Sequence, residues 1–415
     1  MKFNCLISFS LLLLICACSS NSSKSSFGKL PNLNGIWKGN LHLSNEKTLP
    51  FNFSIKNDSI HFYNAKEKIS TIIRADSAKK YTVKMPVFNS AFSFQKVGEK
   101  LEGFWINYSK SNEYKIAFSA VQSADLTNRF HPSNHHENKN LDGSWEVTFG
   151  PNSVNEFKAI GLFNQSPEML SGTFLTETGD YRFLQGNYTE DSLLLSCFDG
   201  SHAFLFEARL TNDSLNGIFY SGNHYKENWI ATKNDSFTLS DPYAVTTLDR
   251  SIPVEFSFLD TDSMPFSFPS DRFLNKVVIV QIIGSWCPNC LDETIFFTKL
   301  YNKHNSNGLE VISLAYEKSD SFEKKVARVK SLKEHCLANY PFLIAGNSSK
   351  KEVEKTLPFL QNVASFPTTI YIDKSGKVRR IYSGFFGPGT GKYHEIFSKE
   401  TNLFVESLLK EEIID

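Results

Sequence analysis

The sequence predicts a multidomain protein in which an N-terminal all-β region precedes a C-terminal α/β domain. From residue 31 to 235, short runs rich in Val, Ile, Phe, Tyr and Trp alternate with polar residues and are separated by Asn, Asp, Gly and Ser turns, which is typical of β-strands. After residue 241, apolar strand-like runs alternate with helical periodicity, which is typical of an α/β domain. A chain of 415 residues is long enough for two or three domains.

The charge and composition exclude some classes of partner. Lys plus Arg and Asp plus Glu number 44 each, so the net charge is zero, whereas a nucleic-acid partner calls for a basic surface. Aromatic residues make up 14 % of the chain, with 37 Phe, so a large folded core is expected rather than disorder. We therefore expect a folded protein that does not bind nucleic acid.

Residues 1–17 resemble a bacterial lipoprotein signal peptide. Lys2 supplies a positive end, and the apolar run from Leu6 to Ile15 is shorter than the roughly 20 residues that a spanning helix needs. The motif Ile15-Cys16-Ala17-Cys18 resembles the lipobox, in which cleavage before the final cysteine frees its thiol for lipidation. A plain signal peptide and an uncleaved anchor are the alternatives.

This resemblance implies lipidation of Cys18 and contact with the membrane through the lipid. Residues 18–30, rich in Ser, are expected to form a flexible tether. They lack the acidic cluster that some lipoproteins use for surface display, so the expected location is the cell envelope, lipid-anchored and facing the periplasm. Disulfides persist in that compartment.

The all-β region contains an internal repeat. Two pairs of similar runs mark it: Leu33–Trp37 with Leu141–Trp145, and Leu101–Trp105 with Leu215–Phe219. Residues 31–126 and 141–235 are therefore expected to form two tandem β-barrel-like units, each with space for about eight short strands. The Trp of each opening run is expected to close one end of its barrel. One larger sandwich is the competing interpretation.

Between the units, residues 127–140 form a polar, Asn-rich stretch. Its three histidines, His131, His135 and His136, could bind a metal, but a solvated linker is the favoured interpretation, and no metal site is expected. Apart from the cysteines of residues 1–18 and the pair described below, Cys197 lies in the strand-like run Leu193–Phe198 and Cys336 on the apolar face of its predicted helix. Both are expected to be core residues.

The α/β domain is expected to span residues 250–415. Val277–Ile283 (VVIVQII) is a nearly continuous apolar run of the kind buried in a central strand. Two further strand candidates are Leu309–Ala315 and Thr368–Ile372. Helical periodicity covers Cys290–Tyr301 and Asp320–Leu337, the second of which opens with a capping-box-like sequence.

The stretch Gly284-Ser285-Trp286-Cys287-Pro288-Asn289-Cys290 carries the candidate chemistry. It places a CxxC motif after a buried strand and at the start of a helix, where free N–H groups and the helix dipole favour a thiolate. Cys287 is therefore predicted to have a lowered pKa and to attack disulfides. Cys290, one turn further into the helix, is predicted to resolve the mixed disulfide.

Two other interpretations of the CxxC motif are weaker. A zinc site would need a second Cys or His pair at suitable spacing, and the domain contains none. A purely structural disulfide would not require the strand–Trp–CxxC–helix context. A redox-active Cys287–Cys290 pair is therefore favoured, and it needs no cofactor.

Residues from about 250 to 410 resemble the TlpA/ResA-type, redoxin-like branch of the thioredoxin superfamily, which implies a thioredoxin fold. Three segments carry the resemblance: Asn275-Lys276-Val277-Val278 before the strand with Trp286 to Glu293 after it; Ser365-Phe366-Pro367-Thr368-Thr369-Ile370-Tyr371-Ile372-Asp373-Lys374-Ser375-Gly376; and the glycine-rich Tyr382–Gly391. The resemblance covers the α/β domain and does not extend to the all-β region.

The family implies roles for residues beyond the cysteines. Pro367 matches a cis-proline that lies against the CxxC motif, and Trp286 and Phe366 are expected at the substrate-binding surface. Glu293 matches an acidic residue that tunes the protonation of the cysteines. The sequence departs from thioredoxins proper at Gln281, where they carry a titratable Asp, and Glu293 is expected to take over the proton work.

The predicted function is that of an extracytoplasmic thiol–disulfide oxidoreductase that reduces disulfides of exported proteins. By resemblance, its electrons would come from a membrane thiol-relay protein. A thiol peroxidase is one alternative, although Gly284 and Val280 stand where peroxiredoxins place the Thr/Ser and Pro of their motif. The other is a lipoprotein whose β region binds a ligand or partner, with an ancillary redox domain.

Overall fold

A computed structural model describes residues 33–412, apart from 45, 77–78, 112, 131–139, 190 and 320. The predicted signal peptide, the lipidation site Cys18, the tether and the three linker histidines lie outside these residues. Every helix within them is too short or too polar to cross a lipid bilayer. Two separate barrels followed by an α/β domain confirm the predicted fold class, and the single larger sandwich is wrong.

The first barrel is a closed antiparallel meander in which the last strand pairs with the first. Its strands are β1 (Gly35–His42), β2 (Thr48–Lys56), β3 (Ser59–Asn64), β4 (Glu67–Ala75), β5 (Lys80–Lys84), β6 (Ser90–Val97), β7 (Lys100–Asn107) and β8 (Lys115–Ser123). Closure removes the exposed strand edges that an open sheet would present.

The second barrel is also closed, since its last long strand β17 (Tyr225–Lys233) pairs with its first strand β9 (Gly143–Phe149), and it carries one short extra strand. Its strands are β9 (Gly143–Phe149), β10 (Phe157–Gln165), β11 (Leu170–Thr176), β12 (Gly179–Asp180), β13 (Leu184–Thr189), β14 (Ser192–Phe198), β15 (Ala203–Thr211), β16 (Ser214–Ser221) and β17 (Tyr225–Lys233). The short β12 pairs only with β11.

The two barrels open with the same local structure. Trp37 Nε1 donates a hydrogen bond to the Leu33 carbonyl at 2.9 Å, and Trp145 Nε1 donates to the Leu141 carbonyl at the same distance. Both indole rings are buried. Equal geometry at matching positions supports the sequence repeat.

Phenylalanine rings fill the interior of the first barrel. Its own rings are those of Phe51, Phe53, Phe62, Phe92 and Phe118, all buried. Phe198 of β14 joins them from the second barrel, with its ring centroid 5.1 Å from those of Phe51 and Phe92. The interior is therefore a packed core rather than a ligand cavity.

Buried polar contacts join the barrels. Arg129 Nη1 donates to the Ser196 carbonyl at 2.9 Å, and Arg129 Nε donates to Asn52 Oδ1 at 3.2 Å. Ser196 Oγ donates to the Pro50 carbonyl at 2.6 Å. Burial lowers the pKa of Arg129 to about 10, which leaves it charged at neutral pH. The two barrels are therefore one packed unit.

The α/β domain combines a seven-stranded sheet, a separate two-stranded ladder and four helices. Its elements are β18 (Thr247–Leu248), β19 (Phe256–Asp260), β20 (Pro265–Phe268), β21 (Val277–Ile283), α1 (Pro288–His304), β22 (Leu309–Glu317), α2 (Phe322–His335), β23 (Phe342–Asn347), α3 (Lys350–Thr356), β24 (Leu360–Gln361), β25 (Thr368–Ile372), β26 (Val378–Ser383) and α4 (Lys392–Lys410). The large sheet has the strand order β20-β19-β23-β22-β21-β25-β26, and β18 pairs with β24 in the ladder.

The predicted central strand is the middle of this sheet. Every residue of β21 is buried, and β21 pairs in parallel with β22 and antiparallel with β25. The predicted helices correspond to α1 and α2. The hairpin of β19 and β20 and the C-terminal helix α4 have no counterpart in the sequence prediction.

Candidate active site

The CxxC motif lies where β21 gives way to α1. Cys287 is the N-cap residue of α1, and its Sγ accepts a hydrogen bond from the Cys290 backbone N–H at 3.3 Å. Pro288 occupies the first helical position, where its missing N–H costs no hydrogen bond. The Cys287 sulfur is therefore held at the positive end of the helix.

The two cysteines differ in access to solvent. Both are free thiols; Cys287 is 8 % exposed, whereas Cys290 is completely buried. Burial is the main factor that raises the pKa of Cys290 well above its ordinary value, followed by its interaction with Cys287. Only Cys287 can be reached by a disulfide from outside.

The loop before β25 lies against Cys287. The Phe366–Pro367 peptide bond is cis, as predicted. The Cys287 thiol donates to the Phe366 carbonyl at 3.5 Å, and the Trp286 and Phe366 rings pack edge to face at 5.5 Å between centroids. Trp286 is fixed further by donating from Nε1 to the Tyr316 carbonyl at 3.0 Å. The structure thus brings Trp286, Cys287, Phe366 and Pro367 together.

Glu293 is buried beneath the motif with two hydrogen-bond donors. Gln281 Nε2 donates to its Oε2, and Thr369 Oγ1 donates to its Oε1, each at 2.7 Å. Burial nevertheless raises the pKa of Glu293 from 4.5 to about 8. Gln281, which replaces the Asp of thioredoxins proper, is therefore a direct partner of Glu293. A proton can reside on this carboxyl near neutral pH.

A second buried carboxylate shapes the turn before the cysteines. Glu317 accepts from the Ser285 backbone N–H at 2.7 Å and from Ser285 Oγ at 2.8 Å. The neighbouring Lys318 places its Nζ 4.0 Å from the centroid of the Trp286 ring. Sequence reasoning missed both residues, although Glu317 ends β22 (Leu309–Glu317) and Lys318 follows it, at the edge of the sheet that the carboxyl ends of parallel strands share.

The second barrel contacts the CxxC helix through Arg182. Its Nη1 donates to the Pro288 carbonyl at 3.0 Å and to Asp292 Oδ2 at 2.6 Å. Asp199 of the second barrel and Glu67 of the first also form ion pairs with the guanidinium. Burial opposes its charge, but these carboxylates hold the pKa of Arg182 above its ordinary value. Burial raises the pKa of Asp292 to about 7.

The glycine-rich segment also faces the second barrel. A Cβ atom at Gly384 would lie 2.5 Å from the Thr178 backbone, and one at Gly389 would lie 2.7 Å from the Arg182 carbonyl oxygen. The Gly387 N–H donates to Asp180 Oδ2 at 2.6 Å. The absence of side chains here lets the α/β domain and the barrel approach backbone to backbone.

Cys287 consequently lines a cleft of about 600 Å³ with walls from all three domains. Representative lining residues are Lys110 and Tyr114 from the first barrel, Tyr181 and His224 from the second, and Lys318 and Phe366 from the α/β domain. By contrast, Cys197 and Cys336 are buried free thiols that do not line this cleft, in agreement with their prediction as core residues.

Comparison with known proteins places this site in a family. Residues 248–395 match the Redoxin family model. The thiol-disulfide oxidoreductase ResA of Bacillus thuringiensis subsp. konkukian is 30 % identical over 143 residues, which cover 34 % of this chain and 75 % of that protein. The chain belongs to the redoxin family of ResA-type thiol–disulfide oxidoreductases. This confirms the resemblance on which the α/β domain was interpreted.

A second curated protein and a solved structure are also similar to this chain. The ResA of Bacillus cereus is 30 % identical over 122 residues, or 29 % of this chain and 63 % of that protein. A thiol:disulfide interchange protein from Chlorobium tepidum covers 38 % of this chain and 94 % of its own, at 20 % identity and a TM-score of 0.30.

Proposed function

We propose that this redoxin reduces disulfides of exported proteins outside the cytoplasm. The observation that carries the proposal is the position of Cys287, whose Sγ caps α1 beside the Phe366 carbonyl while Cys290 is buried behind it. One reachable thiol and one hidden thiol suit a two-step exchange. The Phe366–Pro367 backbone offers hydrogen bonds to an extended segment of the client.

In the first step, the Cys287 thiolate attacks one sulfur of the client disulfide and releases the other as a thiolate. Cys290 then attacks Cys287 in the mixed disulfide and releases the second client sulfur. The client gains two electrons and two protons, and the enzyme is left with a Cys287–Cys290 disulfide. A dithiol donor, by resemblance a membrane thiol-relay protein, restores the reduced enzyme.

Glu293 is proposed to accept the proton of the Cys290 thiol and to return it. Its carboxyl is buried one turn after Cys290 on α1, and its charge adds to the burial that raises the pKa of Cys290. With its own pKa near 8, Glu293 can accept the proton when Cys290 becomes a nucleophile. It can return a proton when the thiol is restored.

The proposed location is the cell envelope, with a lipid on Cys18 and the catalytic domain facing the periplasm. The support is the short apolar run followed by Ile15-Cys16-Ala17-Cys18. Incorporation of labelled palmitate into the full chain tests this, with Cys18→Ala as the matched control. Labelling of both proteins or of neither would contradict the lipid anchor.

Trapping of clients tests the reaction. The full chain with Cys290→Ser should accumulate mixed disulfides with envelope proteins, because the intermediate cannot be resolved. Cys287→Ser should not accumulate them, and Cys336→Ser should behave like the unaltered protein.

A redox titration of the full chain shows whether the protein reduces or oxidises its clients. A potential well below the glutathione poise supports reduction, a value near those of strong oxidants reverses the direction, and no reversible transition overturns the redox assignment.

A further inference from the structure

Lysines outnumber carboxylates in the wall of the cleft that Cys287 lines. The lysines are Lys110, Lys158 and Lys318, and the carboxylates are Glu177 and Asp180. Lys110, on the turn after β7, and Lys318, after β22, both line this cleft. Lys110 Nζ lies 2.7 Å from His224 Nε2 of the second barrel. Each of the three domains thus contributes at least one nitrogen base to the wall of the cleft.

Neither Lys110 nor Lys318 forms an ion pair with a carboxylate among the described residues. Lys158 provides a contrast in the same cleft, because its Nζ lies 3.0 Å from Glu146 Oε1. Partial loss of solvation in the cleft, followed by the charge of Lys318, lowers the pKa of Lys110. Partial loss of solvation also lowers the pKa of Lys318, while the nearby Cys287 and Glu317 raise it. The two lysines therefore repel each other. An anion bound between them would relieve this repulsion.

The cleft is a fixed part of the fold. Ser201 Oγ of the second barrel donates to the Trp286 carbonyl at 3.2 Å, directly beside Cys287. Arg182 and the glycine-rich segment hold the same two domains together nearby. The domains that carry the lysines are therefore held together beside the reactive sulfur.

A cavity of about 600 Å³ falls within the size range of small-ligand sites. It can hold a few residues of an extended chain or a small disulfide, but not a folded domain. Its aromatic wall, which includes Tyr114, Tyr181 and Phe204, supplies apolar surface for such a ligand. Shape and charge together define the class of molecule that fits.

We propose that Lys110 and Lys318 select disulfides flanked by carboxylates for attack by Cys287. This inference rests on the proposed function and narrows its substrate class. The chemistry is the same two-electron exchange: the anionic disulfide is reduced to two thiols, and Cys287 and Cys290 are oxidised to a disulfide. An acidic peptide segment and a small anionic disulfide share the chemistry that the lysines recognise.

The test is a single-turnover reaction of the reduced full chain, followed by tryptophan fluorescence, so that no electron donor is needed. The oxidants are three short peptides with the same internal disulfide, flanked by Asp, Asn or Lys, together with oxidised glutathione as a small anionic disulfide. We expect the Asp peptide to react about tenfold faster than the Lys peptide at low salt. Half-molar salt should remove most of that difference.

Lys110→Met should reduce severalfold the ratio of the rate with the Asp peptide to the rate with the Lys peptide, and the Asn peptide serves as the uncharged reference. The matched control is Lys80→Met, an exposed lysine of the first barrel outside the cleft. The salt dependence of the unaltered protein provides the same test if Lys110→Met does not fold.

The outcomes separate the two proposals. Equal rates with all three peptides, or a preference unaffected by Lys110→Met and by salt, would overturn the charge selection and leave the oxidoreductase function intact. Failure of every disulfide to oxidise the enzyme would instead overturn the proposed function. A faster reaction with oxidised glutathione than with the Asp peptide would support the charge selection and assign the cleft to small disulfides, and the reverse order would assign it to peptide segments.

Discussion

Arg182 Nη1 lies 2.6 Å from Asp292 Oδ2 and so ties the second barrel to the helix that begins at the CxxC motif. The same nitrogen also binds the carbonyl of Pro288, between the two cysteines. A residue more than a hundred positions away in sequence therefore helps to position the helix end that holds Cys287.

Arg182→Met should destabilise the protein strongly, because it leaves Glu67, Asp199 and Asp292 buried without their cation. The expected loss is about 3–5 kcal/mol in the free energy of unfolding at neutral pH. The loss should shrink as the pH is lowered to about 5, since the carboxylates then take up protons. Urea unfolding of the full chain at both pH values measures it.

The control is Arg209→Met, which removes an ion pair to Asp191 between side chains that are 70 % and 47 % exposed. That change should cost less than about 1 kcal/mol. Similar losses in the two variants would contradict a structural role for the buried cluster around Arg182.

Glu293→Gln should alter how stability depends on pH. Because folding raises the pKa of Glu293 from 4.5 to about 8, the native state holds a proton that the unfolded state releases. Stability of the parent should therefore fall as the pH rises between these two values, by up to about 1.4 kcal/mol per pH unit from this group, and the contribution should level off above pH 8.

The Gln variant lacks this titration, so its stability relative to the parent should rise steadily between about pH 5 and 8. Urea unfolding across that interval measures the difference, and other titrating groups such as Asp292 cancel between the two proteins. Parallel curves would show that the carboxyl ionises equally in the folded and unfolded states.

Phe198→Ala should weaken the packing between the barrels. The Phe198 ring is 1 % exposed and lies inside the first barrel, so its removal leaves a cavity and should cost about 3–5 kcal/mol. Phe104→Ala is the matched control, because that ring is 42 % exposed, and its loss should cost under about 1 kcal/mol. Equal effects in urea unfolding would rule out a shared core.

Gly384→Ala should weaken the contact between the α/β domain and the second barrel. Gly384 and Gly376 have similar backbone angles, with φ of 84° and 81°, so an alanine is strained at either position by about 1–2 kcal/mol. Only at Gly384 does the new methyl group also meet the Thr178 backbone, whereas space around Gly376 is open. That clash should add roughly 1–3 kcal/mol.

The readout is the free energy of unfolding together with proteolysis of residues 234–246, which lie between the domains. Gly384→Ala should make this segment easier to cleave and Gly376→Ala should not. Equal behaviour of the two variants would mean that the close approach at Thr178 does not hold the domains together.

The local parts of this structure follow from the sequence, and the contacts between domains do not. Alternating strands, the LNGIW and LDGSW repeat and the CxxC motif after an apolar strand are local patterns, and each led to the observed element. Arg182 falls in the aromatic run Tyr181-Arg182-Phe183, where nothing nearby marks it as buried. Its carboxylate partners come from positions 67, 199 and 292, which no periodicity connects.

Only part of the candidate site can be predicted from the sequence. The family resemblance supplied Glu293, Phe366 and Pro367, which lie around the cysteines in the structure, while their catalytic roles stay predictions. Lys110 gave no signal, because an exposed lysine on a polar turn is ordinary in any sequence. Its proposed role in selecting substrates depends on the position of the first barrel beside the CxxC motif, which no local sequence pattern indicates.

The cleft has a consequence for turnover. The disulfide that oxidises Cys287 and the dithiol that restores it must both reach the same sulfur, which is 8 % exposed. They therefore exclude one another, and the steady state should follow a substituted-enzyme scheme in which excess of either reactant inhibits the other half-reaction. Walls built by two barrels thus determine which molecules can deliver electrons as well as which can accept them.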